Sequence, residues 1–214
     1  MESRTISTPT HGRYLVEIPA HSRATLVGFH GYQQNAAIMF DVLRQIAHGR
    51  SIGIVSIQGL HRFYTRANDV VASWMTKEDR ELAITDNLAY VARVMSAVAD
   101  DEGITRPLIF AGFSQGVAMA YRAAALEQRP CDGVIALAGD VPPDVAPLVA
   151  SLPPVLIGRG TEDKWYTAEK AATDIGVLQA GGATVTEHVF EGGHVWDPRF
   201  ITRAGEFIDE LLNR

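Results

Sequence analysis

Apolar and polar positions follow two alternating rhythms along this chain. Short apolar runs bounded by Gly, Pro or charged residues predict strands at residues 13–18, 24–29, 51–57, 107–113, 133–138, 155–157 and 184–190. The first run stops at Pro19, which suits an edge strand. Between these runs, apolar residues recur at three- and four-residue spacing and predict helices at 35–47, 79–99, 115–127, 168–180 and 199–212. Ile38, Val42, Leu43 and Ile46 make the apolar side of the first helix. Leu82, Leu88, Val91, Val94, Met95 and Val98 make that of the second. The fourth helix stops at Gly181-Gly182, a C-cap signal. Residues 58–76 follow neither rhythm and read as a long loop carrying Phe63, Tyr64, Trp74 and Met75, open to a functional or a packing role.

Strands that take turns with helices predict an α/β fold: a mainly parallel central sheet with helices on both faces. The 214 residues fit one domain, 1–214, with a polar and flexible start over residues 1–12. They leave no room for a large cap domain.

Composition narrows the function. Hydrophobic residues make up 47% of the chain and charged residues 21%, so a packed core is expected. The net charge of -6 argues against nucleic acid or an anionic membrane surface as the main partner. The single cysteine, Cys131, excludes an intrachain disulfide and reads as a small buried hydrophobe. Residues 1–10 lack the apolar stretch of a signal peptide, and no run is long enough to span a membrane. A soluble, cytoplasmic protein is expected.

The main chemical signal is Gly112-Phe113-Ser114-Gln115-Gly116, a G-x-S-x-G between a predicted strand and a predicted helix. A serine on so sharp a turn projects its hydroxyl over the sheet edge. The flanking glycines let strand and helix pass closely. The start of the following helix favours negative charge that develops at the reacting centre.

With Phe29-His30-Gly31-Tyr32, the segment 158–163 and Glu191-Gly192-Gly193-His194, this motif resembles the phospholipase/carboxylesterase group of small serine esterases in the α/β-hydrolase superfamily. The resemblance brackets most of the chain. It implies the α/β-hydrolase fold, a Ser-Asp-His triad in that chain order, and hydrolysis of esters or thioesters; no cofactor is expected, and because members of the group often pair, a homodimer is left open. Members of the group often carry a glycine two positions beyond the His-Gly pair, where this chain has Gln33. The shape of the acyl side of the pocket is left open by that departure.

A serine hydroxyl needs a base to take its proton, and the base needs a carboxylate to hold its tautomer. Of seven histidines, His11 and His21 lie in a polar N-terminal region and His48 at a helix end. His61 lies in the unassigned loop and His188 inside a strand pattern. His194 comes last in the chain, on a glycine-rich loop after a strand, and is the expected base. Asp163, after the strand at 155–157, is the expected acid. Asp140, after the preceding strand, is its rival, and Asp174 and Asp197 read as surface or helix-end charges.

The expected oxyanion donors are the backbone N–H groups of Gln115, which follows the serine, and Tyr32, on the loop after an early strand. His30 would brace that loop, or simply be a packed core histidine, and is not expected to act as a base. Tyr32, Trp74, Met75 and Trp196 are candidates for substrate contacts, with core packing as the alternative for the tryptophans and Met75. His188 and His194 do not form a helical H-x-x-x-H pair and there are no cysteine pairs, so a metal site is not expected. The leading function is hydrolysis of a small carboxylic ester through an acyl-enzyme. The alternatives are a thioesterase or lysophospholipase with the same residues, and a non-catalytic binding protein on the same fold.

Overall fold

A strand covered on both faces has no reason to alternate, and the central strands here are apolar at nearly every position. The structure, a computed structural model, describes residues 1–126 and 130–214. Its elements are β1 (Arg13–Glu17), β2 (Thr25–Phe29), α1 (Ala36–Ala47), β3 (Gly53–Gln58), β4 (His61–Tyr64), β5 (Val70–Ser73), α2 (Arg80–Asp101), β6 (Leu108–Phe113) and α3 (Gln115–Leu126). Then follow β7 (Gly133–Leu137), a 3₁₀ turn (Ala146–Ser151), β8 (Val155–Gly160), α4 (Ala168–Ala180), β9 (Val185–Phe190) and α5 (Pro198–Leu212). The helix expected over 115–127 is present to Leu126; Glu127 lies outside the described residues.

Seven strands form one sheet in the order β1-β3-β2-β6-β7-β8-β9. β1 is antiparallel to β3 and all other neighbours are parallel. The predicted edge strand is at an edge, and the α/β-hydrolase fold expected from the sequence is the fold observed.

Register places the helices on the two faces. Gly28 pairs with Ala111 and Phe29 with Gly112, so each pair shares a face. A Cβ on Gly28 would meet Leu43 and Met39 of α1, whereas one on Gly112 would meet the backbone of α3. Helices α1 and α3 therefore cover opposite faces. Ile109 shares the parity of Ala111 and pairs with Gly133, whose missing Cβ leaves room for Leu211 and Phe207 of α5. So α5 joins α1, and the two pack together. Helix α2 and the 3₁₀ turn pack with α3 on the other side.

Three expectations need correction. Ile38 and Leu82, expected on apolar helix faces, are 43% and 48% exposed. In α1 the buried stripe is turned toward Met39 and Phe40, and in α2 Ala83, Ile84, Asn87 and Tyr90 face inward in place of Leu82. The loop expected at 58–76 contains the β4–β5 hairpin, whose strand β4 is too polar and short to show a period-two pattern. An isolated bridge from Gln34 to Ala72 ties the hairpin to the loop after β2.

Candidate active site

Parallel pairing brings the carboxyl ends of β2, β6, β7, β8 and β9 to one sheet edge, and the expected functional residues follow those ends. The turn after β6 is the tightest. Ser114 takes φ 51, in the left-handed region that costs a side-chain-bearing residue about 1–2 kcal/mol. Its N–H donates to Leu137 O of β7 at 2.9 Å, and α3 begins at the next residue. Only glycine fits at Gly116, where a Cβ would stand 2.1 Å from Phe29 O and 2.6 Å from His30 O.

Two loops supply Asp163, the expected acid, and the imidazole of His194. Thr161 N–H donates to Phe190 O and Glu162 N–H to Gly192 O, so the loops after β8 and β9 are zipped together. The Asp163 side chain is fully buried. Its Oδ1 accepts the N–H groups of Trp165 at 2.8 Å and Tyr166 at 2.9 Å, and its Oδ2 stands 2.8 Å from His194 Nδ1. The two backbone donors fix the carboxylate's orientation and leave Oδ2 for the imidazole. With Nδ1–H donating to Asp163, Nε2 keeps its lone pair. The Phe113 ring, 5.0 Å from the imidazole centroid, packs against it.

Ser114 and His194 line the same cleft, of about 550 Å³, but their side chains are not hydrogen-bonded to each other. Asp140, the rival acid, also lines it. That carboxylate is exposed and lies 3.5 Å from Lys170 Nζ, with no bond to His194. The geometry pairs the imidazole with Asp163.

The loop after β2 is braced from several directions. His30 is fully buried; its Nδ1–H donates to Gly31 O at 2.7 Å and its Nε2 accepts Gly59 N–H at 3.0 Å. Burial lowers its pKa from 6.5 to about 4, so the ring is neutral at ordinary pH. Trp74 Nε1–H donates to His30 O at 2.8 Å, and Gly31 N–H to Gln34 Oε1 at 2.8 Å. Gln33, where the resembled group often has glycine, takes φ 60, a conformation glycine reaches without strain. The N–H groups of Tyr32 and Gln115 donate to no acceptor among the described residues.

Of the four expected contact residues, only Met75 lines the cleft. Trp74 is fully buried against Phe29 and His30. The Tyr32 ring is largely exposed and stacks on Phe63, away from the cleft. Trp196 packs between Phe113 and Phe200. The sequence reading missed the wall at 138–143 together with Arg80, Trp165, Tyr166 and Lys170. Trp165, two residues past the expected acid and 75% exposed, carried a readable signal: a large apolar side chain on a polar loop. Asp174 is not a surface charge. It is buried, and its Oδ2 accepts Tyr166 O–H at 3.0 Å and Val141 N–H at 3.1 Å. Asp197 does sit at a helix end, as the N-cap of α5.

Among the described residues no cluster of His, Cys, Asp and Glu could hold a metal ion, and no helix is long and apolar enough to cross a membrane. The sequence matches the family model for Phospholipase/Carboxylesterase over residues 15–212. No curated protein matches it significantly. Among solved structures, esterase PE8 is 22% identical with a TM-score of 0.73, over 94% of this chain and 98% of that one. Acyl-protein thioesterase 2 of Zea mays is 19% identical with a TM-score of 0.73, over 94% and 100%. A carboxylesterase of Bacillus cereus is 18% identical with a TM-score of 0.73, over 94% of each chain. At such identities the likeness speaks for the fold alone.

Proposed function

The chain belongs to the phospholipase/carboxylesterase family, and on that premise we propose that it hydrolyses carboxylic esters through an acyl-enzyme on Ser114, with His194 as base and Asp163 as the acid that holds it. Membership makes the chain a hydrolase whose substrates are small molecules. The residue roles rest on one observation above all: the 2.8 Å contact from His194 Nδ1 to the buried Asp163, beside a serine held on a left-handed turn in the same cleft. The family match over residues 15–212 also supports reading the chain as one domain.

Ser114 Oγ attacks the acyl carbon while its proton passes to His194 Nε2. The tetrahedral oxygen accepts the N–H groups of Gln115 and Tyr32, which have no other acceptor among the described residues. Such donors contribute roughly 3–4 kcal/mol each where one has been removed. Asp163 holds the imidazole in this tautomer and stabilises the imidazolium. The intermediate collapses, the alcohol leaves with the proton from His194, and Ser114 keeps the acyl group. Water then adds to the ester carbon with His194 again as base, and the acid and free serine are released. A thioester would follow the same path with a thiol leaving.

The test is turnover of short-chain p-nitrophenyl esters by the wild type and Ser114→Ala, with a fluorophosphonate probe for the serine. The reading expects loss of at least about 10³-fold in kcat and labelling at Ser114 only in the wild type. Equal turnover by both proteins rejects it. A well-folded wild type that neither turns over esters nor takes the label supports the non-catalytic alternative.

A further inference from the structure

The cleft is not electrically neutral in its lining. Three charged side chains besides the imidazole reach it: Arg80, Asp140 and Lys170. Asp140 and Lys170 face each other at 3.5 Å, and Lys170 Nζ also donates to Trp165 O at 3.0 Å. Their charges cancel locally. Arg80 has no carboxylate within ion-pairing distance among the described residues. The acidic residues that flank it, Glu78, Asp79 and Glu81, do not pair with it. Asp144 feels its charge. But that carboxylate is already held in two bonds by the buried Arg122, from Nε at 2.7 Å and Nη2 at 2.8 Å. Asp144 is thus engaged by Arg122, and Arg80 on the cleft wall is left without an ion-pair partner among the described residues.

The rest of the lining is largely apolar: Met75, Ala118, Val141, Pro142 and Pro143. Arg80 is exposed, so its attraction for an anion is screened by solvent and acts only at short range, at the mouth of this apolar wall. The chain as a whole carries a charge of -6, which repels anions at long range. Attraction of an anion is therefore a property of this wall alone, acting within about a Debye length of 8–10 Å. A guanidinium also offers the planar fork that matches a carboxylate.

Resting on the hydrolytic reading above, we infer that the preferred substrates are esters bearing a carboxylate a few bonds from the scissile carbonyl, with Arg80 meeting that carboxylate. Arg80 then sets specificity and takes no part in the bond-making steps. The substrate class is the monoester of a short dicarboxylic acid, or the ester of a carboxylated alcohol or phenol. Both present the same anion, from the acyl or the leaving-group side.

The experiment compares matched pairs under identical conditions. On the acyl side, mono-p-nitrophenyl adipate is set against p-nitrophenyl hexanoate. On the leaving-group side, 4-acetoxybenzoate is set against its methyl ester. The readout is the ratio of kcat/KM for the anionic and neutral member, taken within each variant so that general losses of activity or folding cancel. The wild type is expected to favour the anion by about tenfold or more in at least one pair, the scale of a charge-assisted contact. That ratio should fall at least about tenfold in Arg80→Gln, drop below one in Arg80→Glu, and shrink toward one in 0.5 M salt, a screening length of roughly 4 Å. Preference for the neutral member in both pairs, or a ratio that ignores both substitutions, overturns the inference. Fluorophosphonate labelling of Ser114 separates the two levels. Labelling with a ratio near one sinks only the role of Arg80, while no labelling and no turnover of any ester sinks the hydrolytic reading and this inference with it.

Discussion

Gln115 Oε1 accepts the backbone N–H of Trp74 at 2.9 Å, across 41 positions of sequence. The same side chain bonds Ser73 Oγ and donates to Met75 O at 3.1 Å. The residue that follows the elbow serine thus also holds the segment that leaves the β4–β5 hairpin, and with it one wall of the cleft. Gln115→Ala is expected to lower stability by about 2 kcal/mol, because the Trp74 N–H loses its acceptor in a part-buried place. It should also reduce kcat/KM while the Gln115 backbone N–H remains. Urea denaturation and ester kinetics on the same variant check both.

Asp163→Asn keeps a hydrogen-bond partner near His194 but favours the wrong imidazole tautomer, and kcat should fall by about 10⁴-fold. Asp140→Asn, on a carboxylate that faces Lys170 and not the imidazole, should cost at most about tenfold. Steady-state kinetics of the two variants, side by side, decides between the carboxylates. The reverse order of effects would hand the acid role to Asp140.

Gly116→Ala forces a Cβ against the carbonyl oxygens of Phe29 and His30, which are backbone and cannot swing aside. Strand β2 and helix α3 must separate, at a cost of at least about 2 kcal/mol. The midpoint of urea unfolding should drop accordingly. An unchanged midpoint would mean that the helix does not pass this close to the strand.

Asp174 ties the wall of the cleft, through Val141 N–H, to the segment that carries Asp163, through Tyr166 O–H. Burial raises its pKa, so the ionised form carries a desolvation cost at neutral pH. Asp174→Asn keeps an acceptor for these donors and removes that cost, so thermal stability at pH 7 should hold or rise. Asp174→Leu strands both donors, each worth about 1–3 kcal/mol when buried unpaired, and should lower the melting temperature. A pair of melting curves tests the contrast.

His30 predicts a pH dependence. Its pKa is lowered from 6.5 to about 4, so the unfolded chain binds the extra proton between those values and the native state does not. The stability it contributes is complete above pH 6.5 and is lost as pH falls toward 4, a swing of about 3 kcal/mol. In His30→Gln that swing should vanish, although the variant is less stable at pH 7 for want of the bonds to Gly31 and Gly59. Denaturation midpoints at pH 7, 5.5 and 4.5 for both proteins measure it. Equal slopes would show that the imidazole is solvated.

The strands and helices were legible in the sequence wherever burial is one-sided or complete. β6 and β7 are unbroken apolar runs, and α3 follows its strand at once. Strand β4 was not legible, because His61, Arg62 and Tyr64 are exposed and pair mainly through backbone. For a related reason the sequence leaves Trp74 open between a substrate contact and core packing. A tryptophan in a polar stretch looks like a contact residue, yet the hairpin folds it back under the loop of His30. Asp174 looked like a helical surface charge, since nothing local reveals that Tyr166 and Val141 will cover it.

By itself the sequence determined the order of the helices and of the strands of the main sheet, the strand–turn–helix around Ser114 and the short list of candidate groups near it, because these depend on local periodicity and on backbone space that only glycine provides. The tertiary structure decided which carboxylate His194 meets, which aromatic side chains stay clear of the cleft, and where an unpaired Arg80 points. Those outcomes depend on how far β7, β8 and β9 extend and how their end loops fold over one another. Such distances arise from packing between segments far apart in the chain, and no stretch of sequence encodes them alone.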